Sequence, residues 1–348
     1  MSRPGLPAAR VLGLAAAALV LLLAALVFGA AVGETRIPFD TVAKAVANRL
    51  WAGGHALDPI DEGIVWNYRL SRAVVASACG AALAVSGAVL QSLLRNPLAD
   101  PYLLGISAGA SSGAVAVAIL GLGGGLLSLP LGALTGALLA FGLVSGLAVL
   151  AGRGLAAIIL AGVAGSQLFN ALTAFVVTKS ATADQARGIM FWLLGNLSGV
   201  RWPDAGLAVP VALVGLAVCL VHARTLDAFA FGTASAAALG IPVRRVRAVL
   251  IGATALMTAV MVSIVGSIGF VGLVIPHAAR LVVGVRHGAL LPASALIGAL
   301  FMIAADVLSR TLLPGQVLPI GVMTALVGAP AFALILIHRP VVGGMGAR

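Results

Sequence analysis

Between residues 266 and 330 the chain reads G-S-I-G-F-V-G-L-V-I-P-H-A-A-R-L-V-V-G-V-R-H, an apolar span, A-D-V-L-S-R, and then L-P-I-G-V-M-T-A-L-V-G-A-P. His277, Arg280, Asp306 and Arg310 stand there among residues oily enough to lie in a bilayer, where every polar group needs a partner. Asp306 precedes Arg310 by one helical turn, a spacing at which a carboxylate can orient a guanidinium. His277 directly follows Pro276, and a structural, hydrogen-bonded histidine beside a proline break outweighs a proton or metal role. A segment that served only as an anchor would need none of these residues.

Motifs for catalysis are missing. The two lysines, Lys44 and Lys179, do not follow glycine, so the phosphate-cradling G-x-x-x-x-G-K-[ST] loop is absent. H-E-x-x-H and G-x-S-x-G are absent too. The chain is therefore not expected to be an enzyme, and any pumping would draw energy from another polypeptide. Cys79 and Cys219 lie far apart in apolar stretches, without His or Asp in a ligand spacing, and read as small core residues; no metal site is expected.

The elements that must position these residues follow from composition. Of 348 residues, 61% are hydrophobic and 9% charged, against about 25% charged in soluble proteins. This implies an all-α polytopic membrane protein. The net charge of +11 does not point to nucleic acid, because the arginines sit in short loops between oily stretches, where lipid headgroups and the positive-inside bias account for them. Apolar windows of bilayer length fall near 11–32, 72–94, 103–121, 128–150, 155–178, 205–222, 246–265, 289–312 and 318–338, with a shorter one near 268–283 interrupted by Pro276. About ten transmembrane helices result. Residues 1–32 mimic a secretory signal, but the run from Val11 to Val32 is too long for one, so an uncleaved first helix is expected. Placing both termini in the cytoplasm puts Arg95, Arg153, Arg224, Arg244, Arg245, Arg247, Arg280 and Arg286 inside, opposed only by Asp100 and Asp227.

The whole of 1–348 then reads as one transmembrane domain, with 33–68 and 179–204 as outer segments and 224–247 inside. In the first outer segment Asp40 is expected to cap a short interfacial helix whose Val42, Val46 and Leu50 share a face, ending at Gly53 and Gly54. The second should form another short helix. Gly132 with Gly136, and Gly142 with Gly146, are expected to allow close helix packing. His55, His222, His287 and His338 should face water or headgroups, while Tyr102 and Trp192 read as packing aromatics. In 224–247, Thr233 through Leu239 predicts a short helix stopped by Gly240 and Pro242, either an ordinary interfacial loop or a docking helix for a cytoplasmic partner.

R-L-S-R at 69–72, G-A-A-L-A-V-S-G-A-V-L-Q at 80–91, R-N-P-L-A-D-P-Y-L-L-G-I-S-A-G-A at 95–110, the A-A-L-G-I-P segment and the 266–330 stretch carry a resemblance in their joint order and spacing. From about residue 34 onward the chain resembles the FecCD/BtuC-type (type II) ABC importer permeases for iron chelates, heme and cobalamin. The resemblance implies a ten-helix subunit of the bacterial inner membrane, pairing with a second permease subunit as a homodimer or with a close paralogue. Two cytoplasmic ATP-binding subunits would carry ATP and Mg, with no cofactor in this chain. A periplasmic substrate-binding protein would deliver the cargo. It further implies that Arg69, Arg72 and Arg310 meet carboxylates of the binding protein. Asn96, Pro97, Leu98, Gly154 and Leu155 would form translocation gates, with Asn96 left free to hydrogen-bond by the proline break. Thr233, Ala234, Ala237, Leu239, Gly240 and Pro242 would couple to the ATPase. The chain departs from the family at Gly154, Thr233 and Val317, where Gln316 can substitute.

For the cargo, heme is favoured over ferric siderophores because no polar cluster suits a hydroxamate or catecholate, and cobalamin is the alternative. An ion-coupled secondary transporter is the remote alternative. It would need a midplane ionisable site, and only Asp306 lies within a span, near its end.

Overall fold

Backbone amides in hydrocarbon must be satisfied internally, and the apolar runs meet that demand as helices. The computed structural model describes residues 8–338 except Glu34, Arg36, Arg153 and Gly154, and these hold no strand. Helix α1 spans Ala8–Ala31 and amphipathic α2 spans Phe39–Trp51. The short α3 (Pro59–Gly63) runs through a π-helical turn, Ile64–Leu70, into α4 (Ser71–Leu93). A 3₁₀ turn at Pro101–Leu104 leads into α5 (Ile106–Ala118), then α6 (Leu129–Leu150), α7 (Leu155–Ser180) and α8 (Ala183–Leu193). After α9 (Trp202–Val221) come two short helices, α10 (Ala223–Phe229) and α11 (Thr233–Ala238). Helices α12 (Val243–Val265), α13 (Val271–Val283), α14 (His287–Thr311) and α15 (Ile320–His338) close the bundle.

Among the described residues, seven helical stretches are long and apolar enough to cross a membrane; α5, α13 and α15 are shorter apolar helices. Together they fall on the ten expected windows. Helix α4 is the centre of the bundle, nearly all of it buried against α9, α12, α13 and α14. Its composition explains this position. A Cβ on Gly80 would collide with the Gly298 carbonyl on α14, and one on Gly87 with the Gly272 carbonyl on α13. Without hydrophobic drive between helices in lipid, such backbone approach supplies the dispersion contact.

Helices α5 and α6 repeat the device. Gly109 and Gly113 face the carbonyls of Gly136 and Gly132. Gly142 and Gly146 on the same α6 meet nothing within 4 Å, so that expected packing pair is not one. Three further expectations change. The N-cap of α2 is Pro38, which has no capping side chain; Asp40 sits in the first turn and pairs with Lys44 at 3.2 Å. Val42 and Ala45 are the buried face, whereas Leu50 is exposed, and the helix stops at Ala52 in the left-handed region, one residue before Gly53. Finally, α13 runs through Pro276 without a break.

Overpacking a close helix contact costs about 1–3 kcal/mol or more, so Gly136→Leu should lower the unfolding temperature of the detergent-solubilised protein by several degrees. Gly142→Leu, on the same helix but in open space, should leave it unchanged. Equal effects in a thermal melt would refute the α5–α6 glycine contact.

Candidate functional site

Polar residues concentrate at the two ends of α4. At its start, Arg72 donates through Nε to Asp306 Oδ1 of α14, through Nη1 to Ser198 Oγ at 3.1 Å and through Nη2 to Ser309 Oγ at 3.3 Å. Arg310 closes on the other Asp306 oxygen at 3.0 Å and donates to the Gly29 carbonyl at 2.9 Å. Arg69, on the π-helical turn, donates to the Ala31 carbonyl at 3.0 Å and to Thr35 O and Oγ1 at 2.6 and 2.8 Å. A Cβ on Gly33 would touch both the Arg69 and Arg310 guanidiniums, so a glycine separates them.

The structure therefore brings together all three arginines expected at this end. It also buries them: Arg69 is 6%, Arg72 8%, Arg310 6% and Asp306 1% exposed. The Asp306–Arg310 pair was legible from spacing. The contact of Asp306 with Arg72, 234 residues away, was not. Both long segments converge here: Trp202 Nε1 donates to the Trp66 carbonyl at 3.0 Å, and Arg201 lies 4.2 Å over the Tyr68 ring.

At the other end the chain leaves α4 through Arg95, whose φ of 47° is left-handed and costly for a side chain. Asn96, beyond the end of α4, hydrogen-bonds locally: its Oδ1 accepts from the Leu98 N–H at 2.9 Å. Pro97 and Leu98 are exposed. Asp100 caps the 3₁₀ turn by accepting from Tyr102 N–H at 2.9 Å; burial pushes its carboxyl up to about 6 despite that bond. Tyr102 packs as expected, its hydroxyl donating to the Ile268 carbonyl and accepting the Ile268 N–H. Gly154 lies outside the described residues, and Leu155 opens α7.

The segment 224–247 folds as expected around α11, which runs from Thr233 to Ala238 with Leu239 as its C-cap and Gly240 at φ 79°. Ala236 is buried under it. Ala234, Ala237, Gly240 and Pro242 are exposed, as are Leu239 at 74% and Phe231 at 81%. His287 contradicts its expected exposure: it is 5% exposed, and its backbone N and Nδ1 both meet Asp227 Oδ1 at 2.9 and 2.7 Å. Its place at the first residue of α14 sets it against α10, not against water.

Gln91 is a residue that sequence reasoning passed over. Pro276 has no N–H to give the Gly272 carbonyl one turn back. Gln91 Nε2 reaches that carbonyl at 3.2 Å and the Leu273 carbonyl at 3.3 Å, while its Oε1 accepts from Arg280 Nη1 at 2.7 Å. His277 Nδ1 also meets the Leu273 carbonyl at 2.8 Å, the structural role expected of it. The available signal was a glutamine in an oily helix one turn beyond Gly87, the glycine against which Gly272 packs.

Among the described residues no cluster of His, Cys, Asp or Glu could hold a metal ion. A family model described as the FecCD transport family matches residues 20–338. The cobalamin import system permease protein BtuC of Halobacterium salinarum is 38% identical, over 96% of this chain and 98% of its own. The vitamin B12 import system permease protein BtuC of Citrobacter koseri is 41% identical, over 84% of this chain and 90% of its own. A solved metal-chelate type ABC transporter in an inward-facing conformation superposes with a TM-score of 0.80 at 30% identity, over 93% of this chain and 98% of its own.

Two outcomes follow from the geometry. Removing one partner of a buried ion pair costs about 3–5 kcal/mol, so Asp306→Asn should destabilise the detergent-solubilised protein by that order in a denaturant titration, while Arg244→Gln at an exposed position should not. Gln91→Leu should cost about 1–3 kcal/mol by stranding the Gly272 carbonyl. Adding Pro276→Ala, which restores an N–H to it, should recover part of that loss; strict additivity of the two changes would refute the assignment.

Proposed function

The chain belongs to the FecCD transport family, an integral membrane permease of an ABC importer, and we propose that its cargo is cobalamin. The names borne by its relatives support cobalamin over the heme that sequence reading favoured. The lack of a polar cluster favoured heme over siderophores and says nothing against a corrinoid.

In this reading two copies enclose the path in a bacterial inner membrane, with both termini in the cytoplasm. The buried arginine end faces outward. There Arg69, Arg72 and Arg310, held in place by Asp306 and by backbone carbonyls, are the groups that meet the carboxylates of a substrate-binding protein. The opposite end holds the gate loop Asn96–Pro97–Leu98, joined on the path by Gly154 and Leu155. ATP is hydrolysed on two separate cytoplasmic subunits, to which Thr233, Ala234, Ala237, Leu239, Gly240 and Pro242 couple. One observation carries the reading: α11 presents a short, small-residue helix flanked by exposed Phe231 and Leu239, apolar surface left uncovered beside a cluster of arginines.

Proteoliposome uptake tests this. With the ATPase and binding protein present, labelled cyanocobalamin should accumulate only with ATP and in preference to heme. Leu239→Glu should insert normally yet cut uptake roughly tenfold or more, the loss expected from an apolar anchor at an interface. Accumulation of heme but not cobalamin would overturn the cargo, and gradient-driven uptake by this chain alone would overturn the energy source.

A further inference from the structure

A cavity of about 590 Å³ opens at the gate end, lined among others by Arg95 of the gate loop, Asp227 of α10, Phe231 beyond it, Arg280 of α13, Arg286 of the α13–α14 turn and His287 at the start of α14. Three guanidiniums share it with one carboxylate, and that carboxylate is engaged by His287 through both its backbone N and Nδ1. Among the described residues, none of the three arginines forms an ion pair within the chain. Arg280 gives one N–H to Gln91. A partly enclosed pocket with three guanidiniums and a single carboxylate that is already engaged is short of an anion.

We infer that the pocket holds the phosphate of an anionic phospholipid. Leu281, Val282 and Val285, beside the arginines, are all exposed and form an apolar strip on which acyl chains can lie. An inorganic anion would satisfy the arginines and leave that strip uncovered. Basic pockets between membrane helices are a recurrent form of lipid headgroup site, and the planar arginine fork matches phosphate oxygens. A headgroup here bridges the gate loop to the α13–α14 turn, so membrane composition would bias how readily the gate loop moves. The assignment uses only the geometry of this end and does not depend on the cargo.

Native mass spectrometry of the intact chain in mild detergent tests it, titrating phosphatidylglycerol against phosphatidylcholine. Anionic lipid should be retained preferentially, and each of Arg286→Gln and Arg95→Gln should reduce that retention about fivefold, the loss expected for one arginine at an anionic headgroup. The exposed pair Arg244→Gln and Arg245→Gln, outside the pocket, should retain it in full. Arg95 and Arg286 are exposed, so their variants should fold, and circular dichroism checks this. Unchanged retention in the pocket variants would overturn the site. Inorganic phosphate that displaces the lipid and stabilises the chain equally in a melt would overturn the lipid assignment in favour of a soluble anion.

Discussion

The structure depends on Asp306. A carboxylate at 1% exposure inside an apolar bundle survives only because Arg72 and Arg310 grip its two oxygens. Those arginines survive burial only because of that carboxylate and the carbonyls and hydroxyls around it. The group ties four parts of the chain together: α4, α14, the end of α1 through the Gly29 carbonyl, and the 179–204 segment through Ser198. A pair that contributes little net stability still selects one arrangement, because every displaced arrangement strands a charge in a medium that cannot solvate it.

The second constraint is backbone proximity. Gly80 against Gly298 and Gly87 against Gly272 put α4 in direct contact with α14 and α13. One turn beyond Gly87, that contact lets Gln91 reach the carbonyl released by Pro276. A proline in an apolar helix is tolerated where a neighbour re-satisfies the freed group. Here the re-satisfying amide is polarised in turn by Arg280 on the same helix. Proline, glycine, glutamine and arginine are thus one local solution spread over two helices.

Much of this was legible in the sequence because bilayer physics is severe. Apolar run length alone placed all ten helices, and the Gly240 and Pro242 stops bounded α11 to within a residue. What escaped had two causes. Local capping rules misled at Asp40, since Pro38 pre-sets the backbone for the helix start and leaves Asp40 to pair with Lys44. Contacts distant in sequence escaped altogether: nothing local to Arg72 names Asp306, and nothing local to His287 names Asp227. Glycine spacing is equally blind, for Gly132 and Gly136 pack while Gly142 and Gly146, identically spaced, do not. A period reports which residues share a face, and only the partner helix decides whether that face is used.

The proposed transport cycle inherits a mechanical consequence. Helices α4 and α14 are pinned to each other twice, by Asp306 at one end and by the Gly80–Gly298 approach along their length. Sliding one past the other would break a buried ion pair and force a carbonyl into a backbone, so the two move as a single strut. Motion between outward and inward states must then be taken up where the chain lacks such pins. The loop at Arg95–Asp100 and the α11 segment beyond Phe229 are such places, with exposed residues and backbone in the left-handed region at Arg95, Gly232 and Gly240. The α13–α14 turn, with Gly284 at φ 81°, is another. All three border the basic pocket, so an anion bound there would act on the parts free to move.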